Sequence, residues 1–380
     1  MNNIISLLLA LCLISSCSFN EEAAQTDVKL VKVETVKFTA SNNINPYAIN
    51  IEYYEKDSSK YLYILTGANQ LLIYDFDKKE CIKELSLETE GNNGVGKASG
   101  FKIITPDSIV ITSQFYQKLF LINAEGIVID HYSFKCDSLY TSYCISATRH
   151  PIFIEGNNLI LPQNLVGNWN NLDPHYYSNY KTTINMNIAT GKISKGALGL
   201  PFQQHELTNP AFSYCYLNGS FVYSFNASDS IYIQGPQGTV YSRFAGSPNV
   251  KNLDKKKMFN TNSIETIVKH EILSSEYEQI QSDPSLNIIY RFYRIGMESI
   301  NTNQDLMEIH YYPPAFGIQI LNETGDIIGD CIFPDNQYYY HNSFIAEGAL
   351  YISNNHPMNK DFNVDYFSFT SFKPKFRDEK

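Results

Sequence analysis

The sequence predicts an all-β protein, a propeller whose blades are four-stranded antiparallel sheets, with six blades as the expected number. Three observations support this fold class: a hairpin pattern that repeats along the chain, short apolar runs bounded by turn residues, and helical periodicity in only one segment. The 380 residues are 43% hydrophobic and 18% charged. That composition excludes a disordered chain and provides enough apolar side chains for one large or two medium domains.

The hairpin pattern consists of an apolar strand, a turn with Gly or Asp, and a second strand. It occurs at residues 72–87, 119–134, 184–199, 231–246 and 318–333. Another hairpin with a polar turn precedes most of these, so each unit has about four strands and recurs at intervals of roughly 45 to 90 residues. This period is typical of a propeller blade.

In this interpretation, the two ends of the chain together form the last blade. The last unit, residues 342–353 and 365–372, lacks a fourth strand, whereas the N-terminal run 28–38 alternates apolar and polar residues and has no partner of its own. We expect the N-terminal strand to close the last blade, which leaves no bare sheet edge. The irregular spacing of the units keeps five and seven blades open.

One segment departs from the β pattern. Ile264, Val268 and Ile272 follow one another at helical spacing after Ser263, a residue suited to cap a helix. We therefore expect a helical insertion at about residues 248–285, within a propeller domain that covers residues 28–380.

The N-terminus indicates export and lipidation. Residues 4–14 are apolar except for Ser6, the right length for a signal-peptide core and too short to span a bilayer. The following Ile14-Ser15-Ser16-Cys17 resembles the lipobox of bacterial lipoproteins. The resemblance implies removal of residues 1–16, acylation of Cys17 (palmitate included) and attachment to the outer membrane, with residues 17–27 as a flexible tether.

Two acidic residues in the tether concern the side of the outer membrane on which the protein lies. Glu21 and Glu22 resemble the export signal of surface-exposed Bacteroidetes lipoproteins. A solvated linker explains them equally well, so the side of the outer membrane stays open.

Short motifs further along suggest a family. Residues 90–96 (EGNNGVG) and 347–353 (EGALYIS), together with the lipobox, resemble the domain of unknown function 4221 family of Bacteroidetes lipoproteins. The resemblance implies a propeller-like secreted lipoprotein. It brings no assigned reaction, cofactor or catalytic residues.

Charge and cysteine content exclude several functions. The net charge of −10 argues against nucleic-acid binding, which needs clustered Lys and Arg. Five cysteines remain after Cys12 and Cys17, an odd number that excludes a fully paired disulfide framework. Neither these cysteines nor the eight scattered histidines have zinc-ligand spacing, so we expect no metal and no other cofactor.

Candidate binding residues lie in the segment 164–180, which contains the single Trp of the chain. Trp169, His175, Tyr176 and Tyr177 have the composition of a sugar- or peptide-binding rim. A well-packed loop is the alternative interpretation. The cluster Tyr338–His341 is also aromatic, and we expect it to pack between blades.

His205 and Glu206 are weak candidates for a catalytic acid–base pair. Glycoside hydrolysis needs a second carboxylate at a defined distance, and the sequence does not identify one.

These observations predict a membrane-anchored binding module for a glycan, a peptide or an envelope protein. The alternative is a glycan-active hydrolase or lyase with its site in the propeller channel, and a third interpretation is a structural or regulatory subunit of an envelope complex. Convergent acids beside a His at the channel mouth would favour an enzyme, whereas an aromatic shelf would favour sugar binding.

Overall fold

The computed structural model describes residues 28–40, 47–113, 116, 118–133, 147–163, 180–200, 211–253, 263–301 and 305–377. Within these ranges 24 strands form six four-stranded antiparallel sheets. The sheets surround a central channel, and the predicted six-bladed propeller is confirmed.

The strands of each blade run from the channel outward. Blade 1 has β2 (Ala48–Lys56), β3 (Ser59–Thr66), β4 (Gln70–Asp75) and β5 (Glu80–Ser86). Blade 2 has β6 (Ala98–Thr105), β7 (Ser108–Ser113), β8 (Lys118–Ile122) and β9 (Val128–Ser133). Blade 3 has β10 (Phe153–Glu155), β11 (Asn158–Pro162), β12 (Thr183–Asn187) and β13 (Ile193–Lys195).

The second half of the ring repeats this order. Blade 4 has β14 (Phe212–Leu217), β15 (Ser220–Phe225), β16 (Ser230–Gln234) and β17 (Val240–Phe244). Blade 5 has β18 (Glu276–Asp283), β19 (Ile288–Arg294), β20 (Phe316–Asn322) and β21 (Ile327–Ile332). Blade 6 has β22 (Tyr339–Ala346), β23 (Ala349–Ser353), β24 (Tyr366–Phe376) and β1 (Val28–Thr39).

The N-terminal strand closes the ring as predicted. β1 pairs antiparallel with β24, from Val28 opposite Phe376 to Thr39 opposite Tyr366. Its alternating pattern has a physical cause, because Val36 and Phe38 point into the core while Lys37 between them is exposed. The two ends of the sequence therefore share one sheet.

The five predicted hairpins are the third and fourth strands of blades 1 to 5. Gly325, in the turn between β20 and β21, shows why a glycine is needed there. Its φ is +85°, and an added Cβ would lie 2.6 Å from Cδ1 of Ile231 in the neighbouring blade. The turn can approach blade 4 closely only without a side chain.

Aromatic residues fill the spaces between blades. Between blades 6 and 1, for example, Phe38 packs against Tyr74 and Phe369 with ring centroids 5.3 and 6.2 Å apart. Most of the largest fully buried side chains are Tyr and Phe. The high aromatic content of the sequence thus serves mainly the core.

Among the described residues, two helices lie between strands. α1 (Ile264–Leu273) begins after Ser263, whose side chain accepts from the Thr266 amide at 3.3 Å, as the sequence predicted. The insertion ends earlier than expected, because Glu276–Asp283 already forms β18 of blade 5. α2 (Leu306–Tyr311) was not predicted; at six residues it is too short to show a periodicity. Within the described ranges, neither helix is long and apolar enough to cross a membrane.

The two faces of the ring differ. Turns that join first to second and third to fourth strands are short, such as Asp57–Ser58 and Glu347–Gly348, and they lie on one face, named here the short-turn face. The connections between blades, both helices and the longer second-to-third connections attach on the opposite, long-loop face. Binding sites concentrate on such loops because a rigid scaffold positions them.

We expect Phe38→Ala to destabilise the protein by about 3–5 kcal/mol, since it leaves a cavity where β1 closes the ring. Val33→Ala changes an exposed residue of the same strand and is expected to cost no more than about 0.5 kcal/mol. Urea unfolding measures both. Equal losses would show that β1 does not stabilise the fold through this contact.

Candidate functional site

The six first strands line the central channel, which contains a cavity of about 450 Å³. Each blade contributes to its wall, and the contributing side chains include Asn50, Phe101, Ile152, Tyr216, Gln281 and Ser343. The first strands begin at the long-loop face, so the side chains at their starts surround the mouth of the channel on that face.

The residues predicted from the sequence as a binding rim, Trp169, His175, Tyr176 and Tyr177, lie outside the described residues. So do Cys17 and the pair His205 and Glu206. These assignments therefore stay predictions. Strand β11 ends and β12 begins at the long-loop face, where the predicted rim segment joins the ring.

A buried carboxylate organises the channel mouth between blades 5 and 6. Oε2 of Glu278 accepts hydrogen bonds from the Tyr340 hydroxyl at 2.9 Å and from Nε2 of His341 at 2.5 Å. Its Oε1 lies 3.3 Å from Nε of Arg294, which also pairs with Glu276 at 3.5 Å. Two acids and a His thus meet at one end of the channel.

Both residues lie where the pairing of the strands is irregular. In β18 the register against β19 shifts between Tyr277 and Gln279, and Glu278 is the residue in between. In β22 the register against β23 shifts between Tyr339 and Ser343, a stretch that contains His341. Glu278 and His341 are thus outside the regular ladders of their own blades and contact each other across the space between blades 5 and 6.

The electrostatics keep Glu278 ionised. Burial alone would raise the pKa of its carboxyl group, but His341, Arg294 and Arg149 outweigh burial and hold the pKa well below its usual value. Burial and the nearby Glu278 raise the pKa of Tyr340 well above its usual value. Tyr340 therefore remains a hydrogen-bond donor to an ionised acceptor.

Arg149 lies beside this cluster. Its Nη2 donates to the main-chain oxygen of Glu278 at 3.3 Å, and among the described residues its buried Nε has no hydrogen-bond partner. Arg149 therefore adds a positive charge next to the Glu278 carboxylate.

Four half-buried aromatic rings form a surface next to His341, named here the aromatic shelf: Tyr47, Tyr312, Tyr339 and Phe362. The ring of Tyr47 lies 5.2 Å from Tyr312, 5.4 Å from Tyr339 and 6.3 Å from Phe362. The Tyr339 ring in turn lies 5.4 Å from that of His341. Burial, foremost among the causes, raises the pKa of Tyr47 and Tyr339, so their hydroxyls stay protonated.

The shelf adjoins a cavity of about 550 Å³, and Tyr312 belongs to both. Four carboxylates line this acidic cavity, those of Glu298, Asp305, Glu308 and Asp335. Among the described residues that line it, none is Lys or Arg. The cavity thus favours ligands that are neutral or positively charged.

His356 also lines the acidic cavity, but it serves the structure. It is buried, its Nε2 lies 3.3 Å from the Tyr312 main-chain oxygen, and its Nδ1 accepts from the Met358 amide at 3.2 Å. Both ring nitrogens are used and burial lowers its pKa, so it remains neutral.

Metal and thiol chemistry find no geometric support in the described part of the chain. There, no group of three or more His, Cys, Asp or Glu is arranged to hold a metal ion. Cys81, Cys215 and Cys331 are free thiols.

Sequence reasoning singled out Tyr338–His341 but assigned the cluster to packing between blades. That is correct for Tyr338 and Tyr340, which are buried in the core between blades 5 and 6. Tyr339 and His341 are partly exposed and belong to the mouth. The alternation of a β-strand was the available signal, because every second residue of a strand faces the same side.

Comparison with known proteins places the chain in a family. Residues 27–312 match the family model described as domain of unknown function DUF4221. The chain belongs to the DUF4221 family. A crystal structure of a DUF4221 member from Bacteroides vulgatus is similar over 93% of this chain and 99% of that one, with 21% identity and a TM-score of 0.80. At this identity the likeness shows the fold alone.

More distant structures also align with this DUF4221 protein. BamB from Moraxella catarrhalis is 10% identical (TM-score 0.40, covering 93% of this chain and 99% of that one). Virginiamycin B lyase from Staphylococcus aureus is 11% identical (TM-score 0.45, covering 91% and 99%). Neither likeness informs the function of the DUF4221 chain. No curated protein sequence matches it.

We expect Glu278→Gln to destabilise this DUF4221 protein by about 3–5 kcal/mol at neutral pH, because it leaves Arg294 buried without one of its partners. Unfolded Glu titrates near 4.5, whereas the folded protein holds Glu278 ionised to lower pH. The stabilisation by Glu278 is therefore complete above that value and is lost as pH falls below it.

Urea unfolding at neutral pH and at about pH 4 measures this difference. The exposed Glu80→Gln serves as the matched control and should change stability little at either pH. A difference between wild type and Glu278→Gln that grows on acidification would contradict the assignment.

Proposed function

We propose that this DUF4221 protein is a lipid-anchored binding module that holds a glycan on the aromatic shelf of its long-loop face. The observation behind the proposal is the shelf itself: four half-buried aromatic rings in mutual contact beside an acidic cavity. Sugar rings pack their C–H faces on such side chains, while carboxylates and amides accept hydrogen bonds from their hydroxyls.

The charge of the cavity narrows the class of glycan. Four carboxylates without a neighbouring Lys or Arg in the described lining repel uronic acids and sulfated sugars. Neutral sugars and amino sugars fit this environment. A volume of about 550 Å³ accommodates one or two sugar units, within the range typical of small-ligand sites.

The position of the N-terminus indicates which face of the propeller the proposed membrane anchor is attached to. β1 begins with Val28, which is paired with Phe376 at the short-turn face. A tether of residues 17–27 can span at most about 35–40 Å from Cys17 to this point. An anchor at Cys17 therefore joins the propeller at the short-turn face, opposite the aromatic shelf.

We expect Tyr47→Ala to lower the affinity for a neutral oligosaccharide about tenfold, because it removes the ring that contacts the three other members of the shelf. Isothermal titration with xylo-, manno- and chito-oligosaccharides measures the effect. Tyr241→Ala, an exposed ring on the outer strand of blade 4, is the matched control and should bind like wild type. Equal affinities for all three proteins would rule out the shelf as the binding surface.

We expect Cys17→Ala to abolish acylation and to move the protein from the membrane fraction to the soluble fraction, since the acyl chains provide the membrane affinity. Metabolic labelling with an alkyne fatty acid followed by detergent phase separation tests this. Cys12→Ala, in the segment expected to be removed, should label like wild type. Continued labelling of Cys17→Ala would exclude Cys17 as the lipidation site.

A further inference from the structure

We propose that His341 is the general base of an ester-hydrolysing site at the channel mouth, with Glu278 as its positioning residue. The substrate class is an O-acylated neutral sugar held on the adjoining aromatic shelf. The choice of substrate rests on the proposed glycan binding, whereas the base itself rests on the geometry of His341 and Glu278.

The position of the pair in the fold supports this assignment. Glu278 and His341 lie on the first strands of adjacent blades, near the ends where the long connections begin. Their contact places a carboxylate-bound imidazole directly beside the aromatic shelf.

Glu278 fixes the tautomer of His341. An ionised carboxylate only accepts hydrogen bonds, so Nε2 of His341, 2.5 Å away, must carry the proton. In the neutral form of the ring the lone pair is then on Nδ1, which has no hydrogen-bond partner among the described residues. His341 is only partly buried, and its Nδ1 is not one of the fully buried polar atoms that lack a partner. This nitrogen is therefore accessible to solvent. The arrangement is that of a base oriented by a carboxylate.

The contact between Glu278 and His341 does not itself supply the groups that glycan cleavage needs. Glycoside hydrolysis needs one carboxyl group that donates a proton, but Glu276 and Glu278 are both buried against Arg294 and Glu278 stays ionised. Elimination from uronic acids needs an acidic sugar, which the adjoining acidic cavity repels. Hydrolysis of an acyl ester needs neither.

The reaction balances with water alone. Nδ1 of His341 takes a proton from water, and the water oxygen forms a bond to the acyl carbon while the carbonyl electron pair moves to its oxygen. The positive charge of Arg149, whose Nη2 donates to the main-chain oxygen of Glu278, stabilises this oxyanion. The intermediate then expels the sugar oxygen, which takes the proton from Nδ1. The products are a carboxylic acid and a free sugar hydroxyl.

The test uses the full-length protein in detergent, with p-nitrophenyl acetate and O-acetylated xylan as probes. His341→Gln keeps a donor towards Glu278 but removes the base, so we expect kcat to fall about 100-fold or more with KM unchanged. His131→Gln, an exposed His on the outer strand of blade 2, is the matched control and should keep the wild-type rate.

Arg149→Met provides an independent variant, since it leaves the contact between His341 and Glu278 in place. We expect a loss of kcat of about 100-fold from it, with the melting temperature recorded for every variant. Equal hydrolysis rates for wild type, His341→Gln and Arg149→Met overturn the proposal, and so does the absence of any hydrolysis by wild type.

The outcomes separate the two proposals. Oligosaccharide binding without ester hydrolysis refutes the esterase and leaves the binding function standing. If p-nitrophenyl acetate is hydrolysed in a His341-dependent way but no oligosaccharide binds, the result supports His341 as the general base. It also refutes glycan binding on the aromatic shelf.

Discussion

The structure depends on hydrogen bonds to the free main-chain groups along the inner edge of each blade. The first strand of every sheet is an edge strand, whose free main-chain groups need partners. Side chains of the neighbouring blade supply them: Asn50 donates to the Phe101 oxygen at 3.1 Å, and Asn342 both donates to and accepts from the main chain of Ala48, at 2.8 and 2.9 Å. These bonds fix each blade relative to the next. The channel mouth is therefore a rigid frame.

The same requirement explains why charges are buried between blades 5 and 6. There Gln279 donates to the Tyr340 oxygen at 2.9 Å, and the adjacent Glu278 binds Tyr340 and His341 through their side chains. A buried ion network adds little net stability, because desolvation offsets most of the attraction. Its clearer consequence is geometric. Glu278 holds His341 in one orientation at a mouth that the inner-edge bonds already keep rigid.

The sequence predicts the features of this fold that have local causes. Alternation along residues 28–38 reflects a strand with one buried face, and Gly325 reflects a turn that requires a positive φ, so both could be recognised without the structure. α2 is too short to leave a pattern. The contact between Glu278 and His341 joins residues 63 positions apart on strands of two different blades, and no local residue pattern indicates it. Non-local geometry of this kind is the part of the site that sequence reasoning misses.

The arrangement of the two faces connects these observations. Ring closure requires β1 to enter at the short-turn face, because it must run antiparallel to β24, the third strand of the last blade. The same direction of the strands gathers the long connections, the acidic cavity and the Glu278–His341 contact on the opposite face. Closing the propeller with the N-terminal strand therefore places the start of β1 on the face opposite the site.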